Sequence, residues 1–251
     1  LIIIVVVPMA MIFLVGLLKS YGLPLTPSNF TLKNYTNILF NNKMVQDGIR
    51  NSLLLSTSAG VIDMFLGVMI AYVIIKVKPK GKGILEFLSM LPYSLPGTVL
   101  AIGVILAWSG RIFGINLYNS LWIILIAYLA RYLSFSLNSS SAALRQVHPS
   151  LEEASRSCGA SHTESLKDIT FPLIRPAMVS GFFLIFLPAM RELTTSALLY
   201  GPYTRTLGVA IYSLRSDGYI TQASALATLA IILIIVVNWI INWITKDRKG
   251  V

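Results

Sequence analysis

Few residues of this chain could carry acid–base, nucleophilic or metal chemistry, and their spacing argues against it. His148 and His162 lie 14 positions apart with no HExxH pattern, and Cys158 is the single cysteine, so neither a zinc site nor a disulfide framework can rest on paired ligands. No serine stands beside a plausible base. The run "PKGKG" at 79–83 lacks the spacing and the hydroxyl of a GxxxxGK[ST] phosphate loop, so ATP hydrolysis has no place here. The expectation is a protein that is not an enzyme and that holds neither metal nor cofactor.

What remains is charge in unusual surroundings. Asp63, Arg131, Arg191 and Glu192 interrupt long apolar runs, and Glu86 stands near the end of another, where snorkelling to an interface explains it. Charges at membrane depth are costly and face a bundle interior or a water-filled cavity. The four could form an ion or proton relay in a carrier that works without ATP; Arg191 and Glu192, beyond Pro188, either pair structurally with groups on other helices or line a route near its external mouth. A second concentration of charge, "SLEEASRSCGASHTESLKDITFPLIRP" at 150–176, sits between two hydrocarbon-rich stretches.

The elements that must position these residues are membrane spans. Of 251 residues 55% are hydrophobic and 12% charged, about half the charged fraction usual in soluble domains, so lipid must cover much of the surface. Six segments approach the roughly 20 apolar residues a spanning helix needs: 1–18, 52–75, 84–108, 120–138, 177–200 and 222–245. The net charge of +10 raises the question of nucleic acid, but the basic residues are scattered and lie beside apolar runs, which fits membrane topology instead. Loops 76–83 and 139–176 with the tail "KDRKGV" hold eleven Lys and Arg, against seven in the longer loops on the other side. The positive-inside rule places that set, and the C-terminus, in the cytoplasm. The chain opens inside a hydrophobic run without methionine or a basic n-region, which reads as the interior of a longer protein or a shortened one.

Two loops carry further pattern. In "LPYSLPGTVLAIG", Pro92 and Pro96 remove backbone donors and Gly97 permits unusual dihedrals, so the third span is either kinked for packing or broken to line a path. In 201–221 the apolar core Leu207 to Leu214 is too short to span, which suits an interfacial segment or a docking surface, with Tyr203, Tyr212 and Tyr219 at the boundary.

The charged insert reads as two short helices. Ser150 with Glu153, and Ser161 with Glu164, have the spacing of capping boxes; Gly159 between them suits a left-handed C-terminal cap, and Pro172 is expected to limit the second helix. Helices this short are marginal alone and need packing from the same chain or from a partner.

The run Glu153, Ala154, Ser155, three residues, Gly159, nine residues, Ile169, one residue, Phe171 and Pro172 resembles the "EAA" loop of binding-protein-dependent ABC importer permeases, without a gap. Ser155 stands for an alanine and Phe171 for a leucine. The resemblance implies an all-α membrane protein, a type I ABC importer transmembrane domain of six helices occupying 1–251, with a coupling loop at about 145–176. It implies docking on a separate ATP-hydrolysing subunit through Glu153, Ala154, Ser155, Gly159, Ala160, Ile169 and Pro172. An extracytoplasmic substrate-binding protein and a second permease unit, a homodimer partner or a fused half, come with it, as does a bacterial cytoplasmic membrane. The translocation path expected on this basis takes in Pro92, Pro96, Gly97, Arg191 and Glu192. The run "MRELTTSALLYGPYTRTLGVAIYSL" with "QASALATL" is similar to the C-terminal part of ferric-iron permeases, and more weakly to permeases for phosphonates, polyamines, thiamine and sulfate. Ferric iron is therefore the expected substrate.

Overall fold

A computed structural model describes residues 2–110, 112 and 114–246, with side chains from 3 to 239 within that range. The tail residues 247–251, expected in the cytoplasm, lie outside it, as do Leu1, Arg111 and Phe113. Among the described residues the chain forms helices and turns, with two isolated antiparallel bridges, Leu18 to Phe30 and Ser109 to Asn116; the α-helices are α1 (Ile2–Leu17), α2 (Lys33–Thr36), α3 (Lys43–Tyr72), α4 (Lys82–Ser94), α5 (Gly97–Trp108), α6 (Leu121–Gln146), α7 (Pro149–Ser157), α8 (His162–Ser165), α9 (Phe171–Met190), α10 (Ser196–Leu199), α11 (Leu207–Ser216) and α12 (Ile220–Lys246).

Four helical stretches are long and apolar enough to cross a bilayer: Lys43–Val77, Leu121–Gln146, His162–Met190 and Ile220–Trp239. The third expected span is no single rod. It divides into α4 and α5, bent by 113° at Leu95 and Pro96, and only as one broken span would it make a fifth. The break falls at Pro96 because that residue supplies no amide to the α4 ladder and pushes Leu95 to extended dihedrals (φ −81°, ψ 144°). Pro92 stays inside α4. α1, with 16 residues, rises about 24 Å, less than the roughly 30 Å of hydrocarbon. Among the described residues the six-span expectation thus reduces to four or five by length.

Two compact units arise. The first comprises 1–51 and 203–251. In it α1 packs on α12 so closely that a Cβ on Gly16 would stand 3.0 Å from Ala225 Cα, and the buried Asn34 Nδ2 donates to the carbonyls of Gly16 and Leu18 at 2.9 and 2.8 Å. The apolar core of the 201–221 loop is α11, capped by Thr206, with Leu207, Val209, Ala210 and Leu214 buried, while Tyr203, Tyr212 and Tyr219 remain exposed. Its apolar residues are largely consumed by packing within the unit.

The second unit, 52–202, is built on α6 and α9 with α4, α5 and the membrane part of α3 around them. Its core includes Leu55, Leu100, Ile123, Ile124, Tyr128 and Ile185 at one end, and Ile74, Leu137, Leu144, Ile174 and Met178 at the other. Small residues allow close helix approach: Cβ atoms on Gly60 and Gly67 would strike Phe182 and Ser136.

Candidate functional site

The charged insert begins one step earlier than its serines suggest. Pro149, well suited to the first helical position because its missing amide is not needed there, makes His148 the N-cap of α7, and His148 Nδ1 accepts from Ser150 N at 3.3 Å. Ser150 therefore lies inside the first turn with its hydroxyl on His148, 2.8 Å away, and the expected Ser150–Glu153 box does not form. The other end matches expectation. Gly159 is left-handed at φ +95°, Ala160 N bonds Ser155 O at 3.2 Å and Gly159 N bonds Arg156 O at 3.0 Å, the paired bonds of a Schellman turn. The Ser161–Glu164 box is complete, with Ser161 N donating to Glu164 Oε2 at 2.7 Å and Glu164 N to Ser161 Oγ at 3.3 Å.

Pro172 does not end the second helix. α8 passes through a π turn, Leu166–Thr170, into α9, and Phe171 N reaches back to Leu166 O, an i→i+5 bond. The extra residue in that turn relieves the clash a proline ring makes with the preceding turn, so Phe171 keeps helical dihedrals. The helical path from His162 to Met190 is unbroken.

Adjacent carboxylates in α7 take opposite roles. Glu152 forms an ion pair with Lys76 Nζ at 3.0 Å and accepts from Thr170 Oγ1 at 2.8 Å, while Lys76 also donates to Val147 O at 3.2 Å. Burial works against its charge, but the Thr170 hydroxyl and the Lys76 ammonium outweigh it and hold the Glu152 carboxyl below the usual range. Nearby, Tyr72 Oη and His162 Nε2 are 2.9 Å apart. These contacts fasten α7 and α8 to the end of α3. Glu153 is exposed, and its carboxylate has no hydrogen-bonding or ionic partner among the described residues. Of the remaining expected loop residues, Ala154, Gly159 and Pro172 are exposed and Ser155, Ala160 and Ile169 half-buried. Cys158 is exposed beside the turn.

The second constellation gathers where α9 ends. Glu192 is 8% exposed and accepts from Tyr132 Oη at 2.6 Å, Thr194 Oγ1 at 2.6 Å and Thr195 N at 2.8 Å, with Arg131 Nε at 3.7 Å. Arg131 Nη1 also donates to Leu95 O at 3.3 Å, at the α4–α5 break. A Cβ on Gly97 would collide with Thr194 Oγ1 and stand 2.8 Å from Thr195 Oγ1. The α4–α5 break is thus brought against the Glu192 group through Leu95 O and Gly97, and Tyr93, Arg131, Tyr132, Arg191, Glu192 and Thr194 are among the residues lining a cavity of about 330 Å³. Of the residues expected along the path, Arg191 and Glu192 line that cavity, whereas Pro92, inside α4, and Pro96 and Gly97, at the break, do not. Asp63 is apart from the group: it is fully buried, and neither carboxylate oxygen has a hydrogen-bond partner among the described residues. Sequence reasoning missed Lys76, Glu152, Thr170 and Tyr132. Pro149 signalled the true start of α7; nothing local pointed to Tyr132.

Residues 63–250 match the family described as "Binding-protein-dependent transport system inner membrane component". A putative 2-aminoethylphosphonate transport permease, PhnV, of Salmonella paratyphi A is 28% identical over 95% of this chain and 88% of its own length. The ferric transport permease FbpB of Actinobacillus pleuropneumoniae is 30% identical over 87% of this chain, which spans 32% of that protein. The spermidine/putrescine permease PotC of Escherichia coli K12 is 25% identical over 95% of this chain and 89% of its own. Among solved structures, a bacterial alginate ABC transporter chain superposes with TM-score 0.74 at 18% identity, covering 98% of this chain and 91% of its own. A helical chain fastened by Glu152, leaving Glu153 free, and matched by the family model over most of its length belongs to the inner-membrane components of binding-protein-dependent transport systems.

Proposed function

We propose that this permease forms the transmembrane route of an ATP-driven importer and couples to a separate ATPase subunit through α7 and the turn at Gly159. The observation that carries the reading is the division of labour between Glu152, which ties α7 to the membrane helices, and Glu153, whose carboxylate is free on an exposed face. A displacement imposed on α7 passes through Glu152 to Lys76, in the π turn Val73–Val77 that continues α3, and to Thr170 in the π turn before α9. From Thr170 the helical path reaches Met190, about 30 Å further on, and ends beside Arg191 and Glu192. In this scheme closure of the ATPase dimer biases the permease between inward-open and outward-open states by its differential affinity for them. The extracytoplasmic binding protein delivers substrate to the outward state, a second permease unit completes the route, and the C-terminus lies in the cytoplasm.

The proposed substrate is ferric iron, supported by the similarity of the "MREL" region and by the 30% identity to a ferric permease. A phosphonate is the second reading, favoured by a match that spans 88% of a 2-aminoethylphosphonate permease. An ion-coupled carrier fits less well, because Asp63 is not joined to Arg131, Arg191 and Glu192 by any hydrogen bond or ion pair among the described residues.

Crosslinking tests the docking. Cys158 is expected to form a disulfide with a cysteine placed in the groove of the ATPase subunit of the assembled importer. Free labelling of Cys158 in that assembly, without a crosslink, contradicts the proposal.

A further inference from the structure

We propose, resting on the permease reading, that the cavity beside Glu192 passes a substrate bearing an oxyanion group, phosphonate or carboxylate, which Arg191 recognises. The inference comes from which charges around the cavity are already engaged. Glu192 cannot serve as an acceptor for a cationic substrate without losing its own support: Oε2 takes the Tyr132 hydroxyl at 2.6 Å and faces Arg131 at 3.7 Å, and Oε1 takes the Thr194 hydroxyl at 2.6 Å and the Thr195 amide at 2.8 Å. Arg131 is itself held between that carboxylate and Leu95 O at 3.3 Å. The pair leaves little net charge on the cavity wall.

Arg191 is different. It is exposed on the same cavity and has no side-chain hydrogen bond or ion pair among the described residues. Its guanidinium is the uncompensated charge there, and its planar set of donors matches two oxygens of a phosphonate or carboxylate. The cavity lining is also aromatic, and its rings are occupied with each other: Tyr93 meets Phe135 edge-on at 4.9 Å and Tyr132 stacks on Phe135 at 6.2 Å. Such a wall lowers the local dielectric, which strengthens both attraction of an anion to Arg191 and repulsion of a cation. Three relatives are named for 2-aminoethylphosphonate, ferric ion and polyamines. The charge on this wall suits the first, suits the second equally when carboxylate ligands surround the metal, and opposes the third.

The test is ATP-dependent uptake by the assembled importer, with its ATPase subunit and binding protein, of 2-aminoethylphosphonate, ferric citrate and spermidine as separate probes. Uptake of either oxyanion probe is expected, and which of the two separates a phosphonate substrate from a carboxylate-bound metal. R191Q and R191E should lower that uptake about tenfold or more and raise the concentration for half-maximal uptake, with R191K retaining more than either. Co-purification of the ATPase subunit with each variant shows that assembly has survived. Uptake of spermidine, or equal uptake by R191E and R191K, overturns the oxyanion site while leaving the permease reading in place. Absence of ATP-dependent uptake of all three by the native importer also overturns it, whereas a missing Cys158 crosslink is the result that sinks the docking itself.

Discussion

Lys76 and Glu152 meet at 3.0 Å, one at the end of a membrane helix and the other in the first turn of α7, joining segments 76 positions apart in the chain. Both side chains are largely covered, and Thr170 adds a hydrogen bond to the same carboxylate oxygen. This contact turns a short helix, marginal by itself, into a fixed part of the protein.

Removing either partner should loosen the loop. K76M or E152Q is expected to cost about 1–3 kcal/mol locally, because the remaining group keeps its desolvation without its counter-charge. Amide exchange over 148–165 should speed up in both variants, with the exchange of α6 unchanged.

The same pair sets a pH dependence. Folding holds the Glu152 carboxyl below its ordinary value, so its contribution is fully present above that value, near pH 4.5, and is lost as pH falls through the lower folded value. Protease resistance of the loop should therefore hold at neutral pH and fall below about pH 4.5, and E152Q should flatten this dependence.

Gly159 needs its left-handed dihedrals and nothing else, since no atom lies within 4 Å of where a Cβ would stand. G159A should cost about 1 kcal/mol through backbone strain alone, and G159N less. Thermal unfolding of the two variants in the same detergent, compared with the native chain, checks the order.

Gly97 is the opposite case, limited by space. A Cβ there would strike Thr194, so G97A should destabilise by about 1–3 kcal/mol, and T194A should recover part of that loss in the double variant. Additive losses in unfolding measurements contradict this packing.

E192A leaves Tyr132, Arg131 and the Thr195 amide without their acceptor in a buried setting, and about 3 kcal/mol or more of stability should go with it. E192Q, which keeps one acceptor oxygen, should lose less.

The features that were legible in the chain are those with local causes. The Ser161–Glu164 box and the turn at Gly159 depend on residues within a few positions, and both occur as their spacing implies. The first box failed on an equally local signal: Pro149 outranked Ser150 in choosing where α7 begins, and so freed Glu153. Pro172 misled because a π turn, which no residue pattern announces, lets the helix continue. The Glu192 site was visible as a list of costly charges but not as a site. Tyr132 lies 60 positions from Glu192, and only packing of α6 against the end of α9 reveals that the carboxylate is fully engaged while Arg191 is not.

The measurement that bears most directly on coupling is the effect of E153K on the assembled importer. The free carboxylate of Glu153 predicts that E153K inserts normally but retains less of the ATPase subunit on purification and loses ATP-driven uptake about tenfold or more. Native levels of both co-purified ATPase and uptake in E153K would contradict docking through α7.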